Sequence, residues 1–213
     1  MRTLTLVVAL SLGTLPASAQ GLAPLADVEW SVLRPQVRAL LTHSARLNLL
    51  PPETVRTLEG LLASASPADP ASSARAVQKL LDAHCLVGVH INPESRVKAA
   101  RGALAARLVL DRDTHLLVRV HNEGGVTHPL VASSDQARAP GKKDPDRWLD
   151  LALLNDKPFA NRLTGHPVEY RILRLTPRQA GKREATLMFD VGQGTQDLGF
   201  RSEVPILFTI RQP

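Results

Sequence analysis

The spacing of apolar positions changes once along this chain, from a repeat of three to four residues to a repeat of two. Across residues 25–84, Val37, Leu40, Leu41 and Leu47 fall on one helical face. The stretch "PPETVRTLEGLLAS" repeats Val55, Leu58 and Leu62 at the same spacing, and Pro51 and Pro52 suit a helix start, where a missing N–H costs nothing. "ASPADPASS" breaks the pattern, after which Ser72 or Ser73 is placed to cap a third helix running through Val77, Leu80 and Leu81.

Beyond His84 the period is two. Cys85, Val87, Val89 and Ile91 alternate with Leu86, Gly88, His90 and Asn92, and Leu116, Val118 and Val120 with His115, Leu117, Arg119 and His121. Further along, Ala185, Leu187, Phe189 and Val191 form one face, and Val204, Ile206, Phe208 and Ile210 another. The pattern predicts strands with one buried face, parted by the turn signals "INPES", "NEGG" and "RQAGK". No helix-length periodic segment lies between them, which argues against a parallel βαβ sheet. The expected fold is mainly β: an antiparallel β-sandwich over residues 85–213, preceded by a small helical region over residues 20–84. Residues 132–147, long and polar, read as a surface loop.

Residues 1–19 have the form of a secretory signal peptide. Arg2 precedes the apolar run "LTLVVALSLGTL", and Ala17 and Ala19 occupy small-residue positions, so cleavage is expected between Ala19 and Gln20. The apolar run is too short for a membrane-spanning helix, and no cysteine sits near the cleavage point to carry a lipid. The mature chain is therefore expected to be exported, periplasmic or extracellular, and free of the membrane. Loss of Arg2 lowers the net charge from +6 to +5. An aromatic content of 3% leaves no stacking platform for single strands, and "RAPGKKDPDRWLD" mixes its charges, so nucleic acid is not an expected partner. Cys85 is the sole cysteine, so stability must come from a packed core, which about 190 mature residues suffice to build.

Candidate chemistry is sparse. In "MFDVGQGTQDLGFR" Gly192 and Gly194 follow a strand, yet Asp197 stands where a dinucleotide loop needs its third glycine, and a strand follows in place of a helix. The glycines fit a turn or bulge instead. His90, His115 and His121 fall opposite the apolar faces of their strands. Residues six apart on a strand lie about 20 Å apart, so a metal site would need donors from neighbouring strands plus a carboxylate or thiolate. Asp144, Asp146 and Asp150 in "DPDRWLD" lack the glycine and closing glutamate of an EF-hand. Cys85, alternating with Val87, reads as a buried small hydrophobe. H-E-x-x-H, G-x-S-x-G and C-x-x-C do not occur. No catalytic, cofactor-binding or metal-ligating residue and no cofactor is assigned on this pattern.

Five segments, "LLDAHCLVGVHINPESRVKAARG", "LLVRVHNEGGVTHPL", "RWLDLALL", "VEYRILRL" and "AGKREATLMFDVGQGTQDLGFRSEVPILF", resemble the N-terminal region of exported metallohydrolases of the CehA/McbA type, the carbaryl-hydrolase-like group. The similarity covers about residues 80–210, and "GKREA" and "DVGQGTQDLGFR" are its most specific pieces. The resemblance implies a non-catalytic accessory β-sandwich module. In that family the metal-dependent PHP (polymerase and histidinol phosphatase) domain lies further along a longer chain, and its ligands have no matching positions here. A hydrolase domain on the same longer chain is the implied partner. The alternative is a stand-alone exported binder of a glycan or anionic envelope polymer, using Arg171, Arg174, Arg178, Lys182 and Arg183 beside Tyr170 and Trp148. The oligomeric state is left open.

Overall fold

A computed structural model of the protein describes residues 22–26, 28–64, 68–138, 144, 146–192 and 198–213. The signal segment, Gly194, Asp197, Lys142 and Lys143 lie outside them. Three helices come first: α1 (Trp30–Leu47), α2 (Pro52–Leu62) and α3 (Pro70–Asp82). Pro51 and Pro52 do open α2, as N-cap and first helical residue. The cap of α3 is Asp69 rather than Ser72 or Ser73; its carboxylate accepts from Ser72 N at 2.9 Å. Pro70 sits at the first helical position with its φ already helical, which sets the start upstream of the serines. Asn48 ends α1 in the left-handed region, φ 48°, its N–H turned back to the Ala45 and Ser44 carbonyls.

Among the described residues nine strands follow, in two sheets. β1 (Cys85–Ile91), β2 (Val97–Arg101), β4 (Thr114–Asn122), β6 (Leu149–Leu153) and β7 (Val168–Pro177) form a five-stranded sheet ordered β2-β1-β4-β7-β6. The other is ordered β3-β9-β8-β5, from β3 (Arg107–Val109), β5 (Val131–Ser133), β8 (Gly181–Asp190) and β9 (Arg201–Arg211). The mainly β, sandwich-like fold with N-terminal helices is as the pattern predicts. Pairing is antiparallel except β1 with β4 and β3 with β9, which run parallel. Ala132 and Ser133, read from sequence as loop, form part of the edge strand β5.

The two inner faces meet in one core. Val89, Ile91, Val118, Val120, Leu173 and Leu175 pack there against Leu187, Phe189, Ile206 and Phe208. Each fully buried Leu or Phe contributes about 1.5–3 kcal/mol. On β8 and β9 the alternation behaves as predicted, one face buried and the other not.

For β1 and β4 the single buried face has to be corrected, since both faces are buried. The helices lie on the far side of the five-stranded sheet and build a second core there. In it Leu33, Val37, Leu58, Val77 and Leu81 pack against Cys85, Leu117, Tyr170 and Ile172. A register shift between Cys85 and Val87, in the pairing of β1 with β4, moves Cys85 out of phase with Val87 and into this helical core. Cys85 is fully buried, as its apolar reading requires, but on the opposite face from the predicted one. Its Sγ donates to Leu81 O at 3.4 Å, and burial pushes its thiol well above the usual range.

Candidate functional site

β6 pairs only with residues 173–177 of β7, so the start of β7 has no strand on that side. Leu154 N reaches Ile172 O at 2.8 Å, and beyond it the segment of residues 158–166 and helix α1 cover the open edge. Between them lies a cavity of about 460 Å³. Val32, Pro35, Leu40 and Phe159 give it apolar walls, and Pro35 has no N–H to offer the Ser31 carbonyl one turn earlier.

The polar groups at the cavity satisfy one another almost completely. Gln36 Nε2 caps the free edge by donating to Val168 O at 3.1 Å, and Arg171 Nη1 donates to Tyr170 O at 3.2 Å. The Glu169 side chain, 1% exposed, accepts from Thr164 N at 2.9 and 3.0 Å and pairs with Arg171. Arg171 Nη2 also donates to Arg162 O at 2.9 Å. Two atoms of the cavity-lining side chains remain: Gln36 Oε1, an acceptor, and Arg171 Nε, a donor, are buried without a protein partner. Such groups cost about 1–3 kcal/mol each when nothing answers them.

A second polar set sits between helices and sheet. Arg119 on β4 donates through Nη1 to Asp82 Oδ2 at 2.5 Å and to Ala23 O at 2.8 Å. The Tyr170 hydroxyl donates to Asp82 Oδ1 at 3.1 Å. Burial pushes the Asp82 carboxyl up, against the pull of Arg119 and of the Tyr170 hydrogen bond. This set ties α3 to β4 and β7.

The histidines proposed from sequence part company. His115 lies under the end of α1, its Nδ1 3.1 Å from Leu47 O, and burial lowers its pKa. The helices cover much of the face read as solvent-exposed. His90 and His121 occupy directly paired positions on the parallel strands β1 and β4, and their rings stack with centroids 4.7 Å apart. Glu123, one residue beyond β4, brings its carboxylate to 3.1 Å from His90 Nε2 and 3.3 Å from His121 Nε2. The three donor atoms lie within 4.8 Å of one another. Glu123 was missed because its partner His90 is 33 positions away in sequence; the signal available was two even-spaced histidines on separate strands, each opposite its apolar face.

The aspartates named from sequence are not gathered around a common point. Asp150 is held by Arg138 at 2.6 Å and by Arg178 at 2.7 Å, and the hydrogen bond from Arg138 is the main cause keeping its carboxyl below the usual range. Asp144 instead accepts from Asp146 N at 3.1 Å and pairs with Arg147. The cationic stripe is scattered as well. Arg174 lies 4.0 Å from Asp113, Arg178 reaches Asp111 at 2.9 Å, and Lys182 and Arg183 belong to the other sheet. Trp148 is a core residue, edge-on to Phe208. Of that proposed group only Tyr170 and Arg171 come together, at the β7 cavity. Gly192 adopts φ +66° after β8, as a turn reading requires, with its N–H turned to the Asp190 carboxylate.

No family model matches the chain, and no curated protein matches it. Among solved structures, domains 4 and 5 of the S-layer protein SbsC match with a TM-score of 0.29 at 11% identity. That match covers 50% of this chain and 41% of the other, a likeness too slight to bear on fold or function. Among the described residues, no helix is long and apolar enough to cross a membrane.

Proposed function

We propose that this chain is a non-catalytic binding module of an exported protein, and that it takes a small, largely apolar ligand carrying hydroxyl groups in the cavity between α1 and β7. One observation carries the reading: Gln36 Oε1 and Arg171 Nε are buried without partners on side chains lining a cavity with a largely apolar α1 wall, whose other buried polar side-chain atoms are paired. A hydroxyl can donate to the first and a hydroxyl can accept from the second, so a ligand carrying hydroxyl groups answers both. Apolar walls with a few convergent polar groups are the ordinary make-up of a small-molecule site. Of the glycan and the anionic polymer, the glycan has the better support. Arg171, Arg174 and Arg178 each have a carboxylate of this chain beside them, which leaves less charge for an anion. The resemblance to the N-terminal region of CehA/McbA-type hydrolases supports an accessory role beside a catalytic domain on a longer chain.

Thermal melts of the purified chain with a panel of alkyl and aryl glycosides test this. A ligand at a hundred times its Kd stabilises by about 2.7 kcal/mol, which is about 5–11 °C for a domain of this size. Ala39→Trp, which fills the cavity from its α1 wall, is expected to abolish the shift while leaving the fold intact. No shift with any member of the panel refutes the site. Turnover of a nitrophenyl ester above the buffer rate refutes the non-catalytic reading.

A further inference from the structure

We infer that His90, His121 and Glu123 form a binding site for one divalent metal ion, with zinc the ion its donors suit. The inference is independent of the β7 cavity. It begins with register: β1 and β4 are parallel neighbours, and His90 is paired directly with His121. Paired residues point to the same side of a sheet whose strands are about 4.8 Å apart, so two imidazoles from distant parts of the sequence are delivered together. Glu123, two residues beyond His121, supplies the carboxylate.

The spacing fits the ion. Bonds of 2.0–2.1 Å in a tetrahedral site set neighbouring donors about 3.3 Å apart. Glu123 already stands with one oxygen facing each ring, Oε2 3.1 Å from His90 Nε2 and Oε1 3.3 Å from His121 Nε2, and one donor atom from each of the three residues lies within 4.8 Å of the others. What remains is for the two rings, now 20° from parallel, to open so that both lone pairs converge on one point. Both side chains are partly exposed, 39% and 23%, so the rings border solvent rather than a closed core.

His90 Nε2 supplies a second observation. It is shielded from solvent, and although Glu123 Oε2 is near, that oxygen does not lie along the ring N–H direction, so the nitrogen has no aligned hydrogen-bond partner. An electron-pair acceptor between the two is what this arrangement is short of. Two histidines and one glutamate leave a fourth position open. His121 and Glu123 also line a separate cavity of about 470 Å³, walled by Leu25, Gly125 and Pro167, into which a water or an exogenous donor fits.

Calorimetric titration of the chelator-treated full chain with zinc tests the site, with cobalt as a spectroscopic substitute. One equivalent is expected to bind, and cobalt is expected to give the visible bands of a four-coordinate ion. His90→Gln, His121→Gln and Glu123→Gln should each abolish saturable one-equivalent binding, whereas His115→Gln, outside the cluster, should retain it. Thermal melts of the metal-free variants establish that each is folded; a variant that is not is replaced by the alanine version of the same position. Absence of saturable zinc binding, or binding that survives all three substitutions, overturns the inference.

Discussion

Replacing Asp82 by asparagine isolates the ion pair that fastens the helices to the sheet. The side chain keeps its shape and volume, but Arg119 loses its countercharge. Asp82 and Arg119 are only 4% and 7% exposed, so water cannot take the place of the carboxylate charge, and the guanidinium is left with neutral acceptors, the new amide oxygen and Ala23 O. Removing one member of a buried pair costs about 3–5 kcal/mol, because the other charge stays desolvated. For a chain of this length that lowers Tm by about 6–20 °C. Urea unfolding of wild type and variant, with the slope checked for constancy, measures the loss directly. The physical argument makes a second, opposite statement about the combined variant Asp82→Leu, Arg119→Met, Tyr170→Phe. Desolvating the pair offsets most of its attraction, so this apolar replacement is expected to recover the loss and to fall near wild type or above it. A cost below about 1 kcal/mol for Asp82→Asn, or a triple variant no more stable than the single one, refutes the reasoning.

Phe189→Ala and Phe208→Ala, both fully buried between the sheets, are each expected to cost about 3–5 kcal/mol in chemical denaturation; less than about 1 kcal/mol for both contradicts the register. Gly192→Ala is expected to cost about 1 kcal/mol by the same assay, from its φ of +66°, because among the described residues an added Cβ would meet only Pro129 O, at 3.7 Å. Burial lowers the pKa of His84, His115 and His121, so each contributes stability that is present above the ordinary histidine pKa and lost as pH falls through its folded value. Melts across pH 7 to 5 are therefore expected to show stability falling as the pH falls, and a Tm that does not fall would contradict the assignment.

Periodicity alone determined a good deal of this molecule. Local geometry decides which side of a helix or strand a residue faces, so Val37 and Leu40 on α1, and the whole β8–β9 pair, were legible from spacing. Pro51 and Pro52 marked the start of α2 for a reason internal to the backbone. β7 was not legible: buried on both faces, with Ile172 and Leu173 adjacent and Glu169 inside, it shows no alternation. Which faces are covered is a tertiary matter. Nothing in "HLLVRVH" says that a helical layer will lie over Leu117 and Arg119, and nothing near Cys85 announces the register shift that carries it into that layer.

The candidate sites divide the same way. Residue types were visible: His90 and His121 on strands, Arg171 and Tyr170 near one another in sequence. Their partners were not, because strand pairing fixes distances between residues that the chain keeps far apart. The parallel register of β1 and β4 sets His90 beside His121, and the turn after β4 adds Glu123. The early end of β6 exposes the edge of β7, against which α1 sets Gln36. Sequence determined the chemistry on offer and the faces of the regular elements; only packing, which matches surfaces across long loops, decided which of those groups meet.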